Sequence, residues 1–442
     1  VILGNLLQSH ASWRWIFYIT IIYCATSFIG VAVFYFPPAR PQADFEKSRI
    51  QELKEIDYIG LTLYTGGLTS LLFGFSWAGS EAHPWNSASV IAPIVVGIAA
   101  LIACFAYDFT YAKNPFFPLR LFGRIREFTI LLSLVFVSGM CFFSMSALLP
   151  QATLLMFSQD PVQIGLISLP GGLSSTVIAA ILGAMVHKIK HVRLQIIIAV
   201  ALQTIFIGLY SVTIPNKKAA WMALQFFGQG CFAIITLFAY VTTGLHVPQR
   251  DLGTATGLVG TFRSAGGSVG VAIFSTILRT AATKQLVPRI SAAALAHGYP
   301  ASNLKLLIPA VISAGSGVPG AFAQVPGVGP ALEAATVQAF KDAYAYAFRR
   351  VFWSTIPFGV LATIAAWFVS DPSKYMTNHV ATHMEKEVIP FDHHTQHQEP
   401  ARYNTTQEHT PSGEKDSIEH GINMSVLGPP SPQRVVVSNK VM

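Results

Sequence analysis

The residue with the most chemical consequence in this sequence is an arginine in the wrong place. Arg263 stands about ten residues inside an apolar run from Thr254 to Leu278. Near the middle of a hydrocarbon layer a guanidinium costs roughly 2.5 to 3.5 kcal/mol on insertion scales, so it must face protein or a wet cavity. There it suits an anionic or strongly polar group, although the carbonyls of a neighbouring helix would satisfy it equally well. Gly253, Gly257, Gly260, Gly266, Gly267 and Gly270 share the run. Glycines four apart let helix backbones approach closely, so Gly253, Gly257, Gly266, Gly267 and Gly270 are read as packing positions.

The preceding apolar run carries Gln225, Gln229, Thr236 and Tyr240. At ~100° per residue these four stay within about 60° of one another and line one helix face. Gln203 joins them from the neighbouring run. A polar stripe on a membrane helix faces the bundle interior, where it contacts a substrate or bonds to another helix. Pro150, Pro170 and the pair Gly171 and Gly172 interrupt two other runs, as happens where helices bend around a pathway.

Reaction chemistry has no representative. The apolar runs hold no metal-ligand pair, no phosphate-cradling glycine loop and no nucleophile with a credible base, so the reading is not an enzyme, with no cofactor and no metal. A nucleotide-driven pump has no site here, which leaves an ion gradient as the expected energy source.

The elements that must position these residues are apolar runs of about twenty residues, the length a helix needs to cross ~30 Å of hydrocarbon. Nine are expected: 15–36, 58–77, 88–109, 128–149, 163–186, 194–214, 220–245, 254–278 and 351–370. Residues 1–7 read as the end of a further helix, and the chain as the C-terminal portion of a longer one. Hydrophobic residues make up 52% of the 442 and charged residues 11%, where soluble domains carry about 25% charged. The expected fold is an all-α polytopic bundle. Cys24, Cys104, Cys141 and Cys231 all fall inside runs without paired spacing and are read as packing residues.

The net charge of +8 is explained by topology rather than by nucleic acid. Lys and Arg crowd the short loops 37–57, 110–127, 187–193 and 246–253, whereas 78–87, 150–162 and 215–219 hold only Lys217 and Lys218. By the positive-inside rule the first set is cytoplasmic. The segment 279–350 is then external, with residues 303–313 too short to span. A helix near 332–348 is expected on the membrane surface or over a cavity mouth, with Tyr344 and Tyr346 there. The tail from Asp371 is polar, expected to be disordered, and its FDHHTQH run is read as solvated histidine rather than a metal site.

Several runs carry a family resemblance. SWRWIFYI (Ser12 to Ile19) with Gly4, DYIGLTLYTGGLTSLLFGFSWAG (Asp57 to Gly79), DLGTATGLVGTFRSAGGSVGVAIFSTIL (Asp251 to Leu278), DAYAYAFRRVFW (Asp342 to Trp353) and DPSKYMTNHVATHMEKE (Asp371 to Glu387) stand out. Together they resemble the fungal fourteen-helix branch of the major facilitator superfamily, which holds trichothecene efflux pumps and siderophore-iron transporters. The resemblance implies two six-helix bundles with two extra helices between them and proton-coupled alternating access. It assigns 1–36 to the end of the N-terminal bundle, 37–127 to a cytoplasmic linker plus the extra helices, 128–370 to the C-terminal bundle and 371–442 to the tail. Most of the first bundle is then missing, and a chain made only of these residues is expected not to transport. The family's loop motif has a degenerate copy at Gly183, His187, Lys188, His191 and Arg193, with His187 where an acidic residue belongs.

The expected function is proton-driven efflux of a small hydrophobic or amphipathic compound, a mycotoxin or drug. Arg263, Gln203, Gln225, Gln229, Thr236, Tyr240, Tyr344 and Tyr346 would contact it. Ferric siderophore import by the same fold is the alternative, and a non-transporting receptor or scaffold the second. Expected partners are the substrate and membrane lipids, with no nucleic acid, in a monomer of the plasma membrane or a vacuolar or vesicle membrane.

Overall fold

The computed structural model describes residues 2–36, 54–79, 83–112, 115–185, 191–248 and 251–375; among these every regular element is helical. The helices are α1 (Ile2–His10), α2 (Arg14–Phe34), α3 (Tyr58–Trp77), α4 (Ala88–Thr110), α5 (Ile130–Met156), α6 (Pro161–Met185), α7 (Val192–Thr213), α8 (Lys218–His246), α9 (Leu252–Ala296), α10 (Leu304–Gly315) and α11 (Pro330–Ala366). Among the described residues eight helices, α2 to α9, are long and apolar enough to cross a membrane by length and composition. The ninth expected run differs: its helix ends at Ala366 and starts far upstream at Pro330, so Arg349 and Arg350 directly precede its apolar part.

Six helices close a ring in the order α5, α9, α11, α7, α8, α6 and back to α5. Beside it α3 and α4 form a pair that touches the ring through α3 and α9. Their seam follows a seven-residue repeat, with Gly60, Gly67 and Gly74 buried on α3 and Val90, Gly97 and Cys104 on α4. A methyl on Gly97 would lie 2.6 Å from the Leu71 nitrogen, so only glycine permits this approach. Asp57 caps α3 by accepting the Gly60 N–H at 2.8 Å. Asp108, a carboxylate inside α4 that the run 88–109 contains, is buried and accepts the Phe117 N–H at 2.8 Å. Helix α2 buries none of its residues, and α1 lies against α6.

Two apolar cores stack along the ring. One joins Leu148, Tyr210, Trp221, Phe274, Phe348 and Phe352; the other joins Phe128, Val135, Ile196, Phe238, Val259 and Ala366. Between them runs a waist of small and polar residues.

Several basic side chains of the loops hold neighbouring segments together. Arg120 pairs with Asp251 at 2.6 Å, Arg124 donates to the His246 carbonyl, Arg126 to that of Phe368 and Arg193 to that of Trp367. These contacts gather Arg120, Arg124, Arg126, Arg193, His246 and Asp251 with the residues that follow α11 on one face. At the other end Arg279 reaches the Ser76 and Ala78 carbonyls, Arg349 those of Ser211 and Ile214, and Gln159 that of Ala314.

The expectation for 279–350 needs correction. It is no open loop with a surface-lying helix: α9 and α11 continue far beyond a membrane's thickness and pack on each other and on α10. Ala282, Leu286, Ile290 and Ala294 recur every four residues and meet Leu307, Val311, Leu332, Phe340 and Phe348, extending the first core. The helical spacing was real, but its apolar face is covered by protein. The tail beyond 375, with its histidine run, and most of the 37–57 linker lie outside the described residues.

Candidate functional site

The waist is where α5 and α9 come closest. Gly266 and Gly270 of α9 face the carbonyls of Phe136 and Met140, and Gly139 of α5 faces the carbonyl of Arg263. Gly267 faces the Phe143 ring. Gly253 and Gly257 have nothing within 4 Å of where a methyl would sit among the described residues, so the packing role read from their spacing is corrected: both lie on the exposed face of α9, while Ala255, Leu258 and Val259 turn its other face into the core.

The polar stripe divides among helix seams. Gln203 is buried, accepting from the Ser138 hydroxyl at 2.9 Å, which ties α7 to α5. Gln225 and Gln229 are buried between α8 and α6, where Gly171 lets α6 come near them. The Gln225 amide donates to the Ile167 carbonyl at 3.5 Å, and Gln229 Oε1 is buried without a partner. Thr236 Oγ1 is likewise buried, and neither it nor Gln229 Oε1 has a partner among the described residues, while the Tyr240 hydroxyl lies beside Gly260 on α9. None of these five lines a cavity described here; a stripe facing the bundle interior meets a packed neighbour before it meets open space. Arg263 is half-buried, with its Nε buried and without a partner among the described residues.

The open space lies on the adjacent face of α9. A cavity of about 890 Å³ is lined by Leu72 and Ser76 of α3, Phe143 and Gln151 of α5, Tyr344 of α11 and α9 from Ser264 to Leu286. That stretch of helix is roughly 33 Å long at ~1.5 Å per residue, so the cavity is a groove. Its α9 wall reads Ser264, Ser268, Val271, Ser275, Arg279 and Ala282, a helical stripe of hydroxyls and small apolar groups. Among the described lining residues none is a carboxylate. The one cation among these lining residues, Arg279, donates to the Ser76 and Ala78 carbonyls at 2.8 and 2.6 Å. These carbonyls end α3, where a helix dipole favours positive charge.

Of the residues expected to contact a substrate, Tyr344 lines this groove; Phe143, Gln151, the three serines and Arg279 also line it and were not singled out from the sequence. The serines recur at offsets of four and eleven from Ser264, a signal present in the sequence but masked by the glycines beside them. Arg279 sits just past the end of the expected run. Tyr346 is separated from Tyr344: it lines a second cavity and stacks under Arg289 and Arg350.

Of the degenerate loop motif, His187 and Lys188 lie outside the described residues, and Gly183 is exposed at the end of α6. His191 adopts a left-handed conformation with φ of 65°. Its N–H and that of Val192 donate to the Ser373 hydroxyl at 3.0 and 3.2 Å. Asp371 in turn accepts from the hydroxyl and N–H of Ser373. Burial opposes the charge on Asp371, but the Ser373 bonds, the Arg193 N–H and nearby His191 prevail and hold its carboxyl below the ordinary value. This loop is thereby docked onto the chain after α11. All four cysteines are free; Cys104, Cys141 and Cys231 are buried as expected, whereas Cys24 is exposed on α2.

The sequence profile of the fungal trichothecene efflux pump family matches residues 1–400. A trichothecene efflux pump of Fusarium sporotrichioides is 28% identical over 389 residues, which cover 86% of this chain and 64% of that protein. An MFS-type transporter of Penicillium rubens is 30% identical, over 83% of this chain and 66% of its own length. An efflux pump of Gibberella moniliformis is 29% identical, over 66% of this chain and 51% of its own. The chain thus spans just under two thirds of the length of the first two relatives.

Proposed function

Because this chain belongs to the fungal trichothecene efflux pump family, we propose that it supplies the C-terminal bundle and the two interposed helices of an exporter. The exporter moves a small hydrophobic or amphipathic compound across a membrane by alternating access, driven by the proton gradient. The groove along α9 carries the reading: at about 890 Å³ it has the size of a small-molecule site, an apolar lining and a row of hydroxyls for orientation. With no carboxylate among its described lining residues, this wall favours a neutral oxygen-bearing cargo over an organic cation. The names of the relatives, pumps for trichothecenes among them, point the same way. Arg263, half-buried beside Ser264 in the waist, is the group placed to change partners when α5 and α9 move.

Substrate would enter from the membrane or cytoplasmic side, lodge against the Ser264 to Ser275 stripe and leave at the end where Arg279 and Tyr344 stand. The test is movement of labelled trichothecene and of labelled ferric siderophore in proteoliposomes of the full gene product, with and without an imposed pH gradient. Gradient-dependent movement of the trichothecene is expected. Movement of the siderophore alone would replace export by import, and movement of neither would leave a receptor or scaffold.

A further inference from the structure

On the other side of the α3 contact lies a second cavity, of about 440 Å³, with a different chemistry. One wall is apolar, made by Phe75, Ile273, Ile277 and Ala281; the other end carries Lys284, Arg350, Gln285 and Tyr346, with Trp85 at the rim. Both cations are exposed, and among the described residues neither forms an ion pair. Arg350 is steadied by two bonds to the Tyr346 hydroxyl, at 3.1 and 2.8 Å, and lies over the Tyr346 and Trp353 rings. Its guanidinium is therefore held in place with donors to spare.

The level of this cavity is fixed by α3. That helix is 20 residues long, about 30 Å, so its two ends mark the two faces of a hydrocarbon layer. Thr276 donates to the Phe75 carbonyl and Arg279 to that of Ala78, which sets Arg279 level with one face. At ~1.5 Å per residue, Ile273 then lies about 9 Å inside the hydrocarbon and Lys284 about 7.5 Å outside it. Headgroups occupy roughly 5 to 8 Å on each side of the layer. The apolar wall is thus at acyl-chain depth and the cations at phosphate depth, with tryptophans at the level they favour at membrane interfaces.

We propose that this cavity is a binding site for an anionic phospholipid, its headgroup between Lys284 and Arg350 and one acyl chain along Ile273, Ile277 and Ala281. The site does not depend on transport, and its readout is binding. Charge complementarity selects the occupant: a zwitterionic lipid would gain the wall but has no net negative charge to match Lys284 and Arg350.

The experiment is native mass spectrometry of the purified chain released from nanodiscs of phosphatidylcholine with phosphatidylserine of matched acyl chains. Retention of phosphatidylserine over phosphatidylcholine is expected. Lys284→Gln or Arg350→Gln should lower that preference on the order of fivefold each, and the pair about 25-fold. Lys305→Gln, on the exposed surface of α10, should leave it unchanged. Equal retention of the two lipids, or unaltered preference in the double variant, would overturn the proposal. Full displacement of the bound lipid by millimolar inorganic phosphate would overturn it too, in favour of a free-anion site.

Discussion

Gly266→Ala and Gly257→Ala make the same chemical change nine residues apart on α9, and the structure assigns them opposite outcomes. A methyl on Gly266 falls on the Phe136 carbonyl oxygen and within 3.0 Å of the Phe136 α-carbon, against an ordinary contact of 3.4 Å or more. The obstacle is backbone, which has no alternative rotamer, so α5 and α9 must part by roughly 1 Å. Overpacking of this kind costs about 1 to 3 kcal/mol. Parting the helices also loosens Gly270 against Met140 and Gly139 against Arg263, which places the cost at the upper end. About 3 kcal/mol lowers the folded-to-unfolded ratio roughly 150-fold. At Gly257 the methyl meets nothing within 4 Å, and alanine gains up to ~1 kcal/mol of helix propensity. Fluorescence-detected size-exclusion chromatography after heating detergent-solubilised protein reads both. Gly266→Ala should lose its monodisperse peak well below the parent temperature, and Gly257→Ala should match or exceed the parent. Equal behaviour of the two would refute the seam.

Arg279→Ala removes two charge-assisted bonds to the end of α3 and should destabilise that contact by ~2 kcal/mol; amide exchange in residues 76–79 should speed up by an order of magnitude, and unchanged exchange would count against it. Ser268→Phe should fill the groove, leaving thermal stability near the parent's because the side chain is exposed, while weakening cargo binding at least tenfold by tryptophan quenching in the full protein. Arg263→Ala should lower transport without lowering the amount of folded protein; parallel loss of both would make Arg263 purely structural. Asp371 titrates below its ordinary 3.8 when docked. Its contribution to holding the 191–193 loop is therefore complete above that value and is lost as pH falls below it. A cysteine-linked probe near Ser373 should show release only under such acid conditions, and Asp371→Asn should abolish the transition.

The helices were legible because lipid leaves a chain few options: a run of twenty apolar residues has to satisfy its backbone internally. Gly266, Gly267 and Gly270 were legible as a packing face for a related reason, since small residues at helical spacing have few other uses in a bilayer. The same rule misread Gly253 and Gly257, because spacing says that two helices could approach without saying that a partner is there. Gln203, Gln225 and Gln229 show the matching limit for polar residues. The inward direction of Gln225 and Gln229 followed from periodicity, but whether inward meant a cavity or the next helix depended, for them and for Gln203, on Ile167, Gly171 and Ser138, far away in sequence. The extension of α9 past Arg279 was hidden by charge: Arg279, Lys284 and Arg289 read as a loop, yet they interrupt a continuous helix in which Ala282, Leu286 and Ile290 are buried.

From Ser264 onward, helix α9 makes contacts on several faces. Gly266 and Gly270 press on α5, Thr276 and Arg279 hold α3, Ser264 to Ser275 wall one cavity, and Ile273 to Lys284 wall the other. A tilt of α9 about the glycine contact would therefore be shared by everything bonded above it. Because Arg279 grips carbonyls at the very end of α3, and the seam of Gly67 and Gly97 locks α3 to α4, the two helices beside the ring must follow such a tilt or break those bonds. The groove narrows or widens with the same motion, since α3 supplies Leu72 and Ser76 to its wall. The two helices beside the ring are in this sense part of the groove, tied to it by one arginine and one threonine.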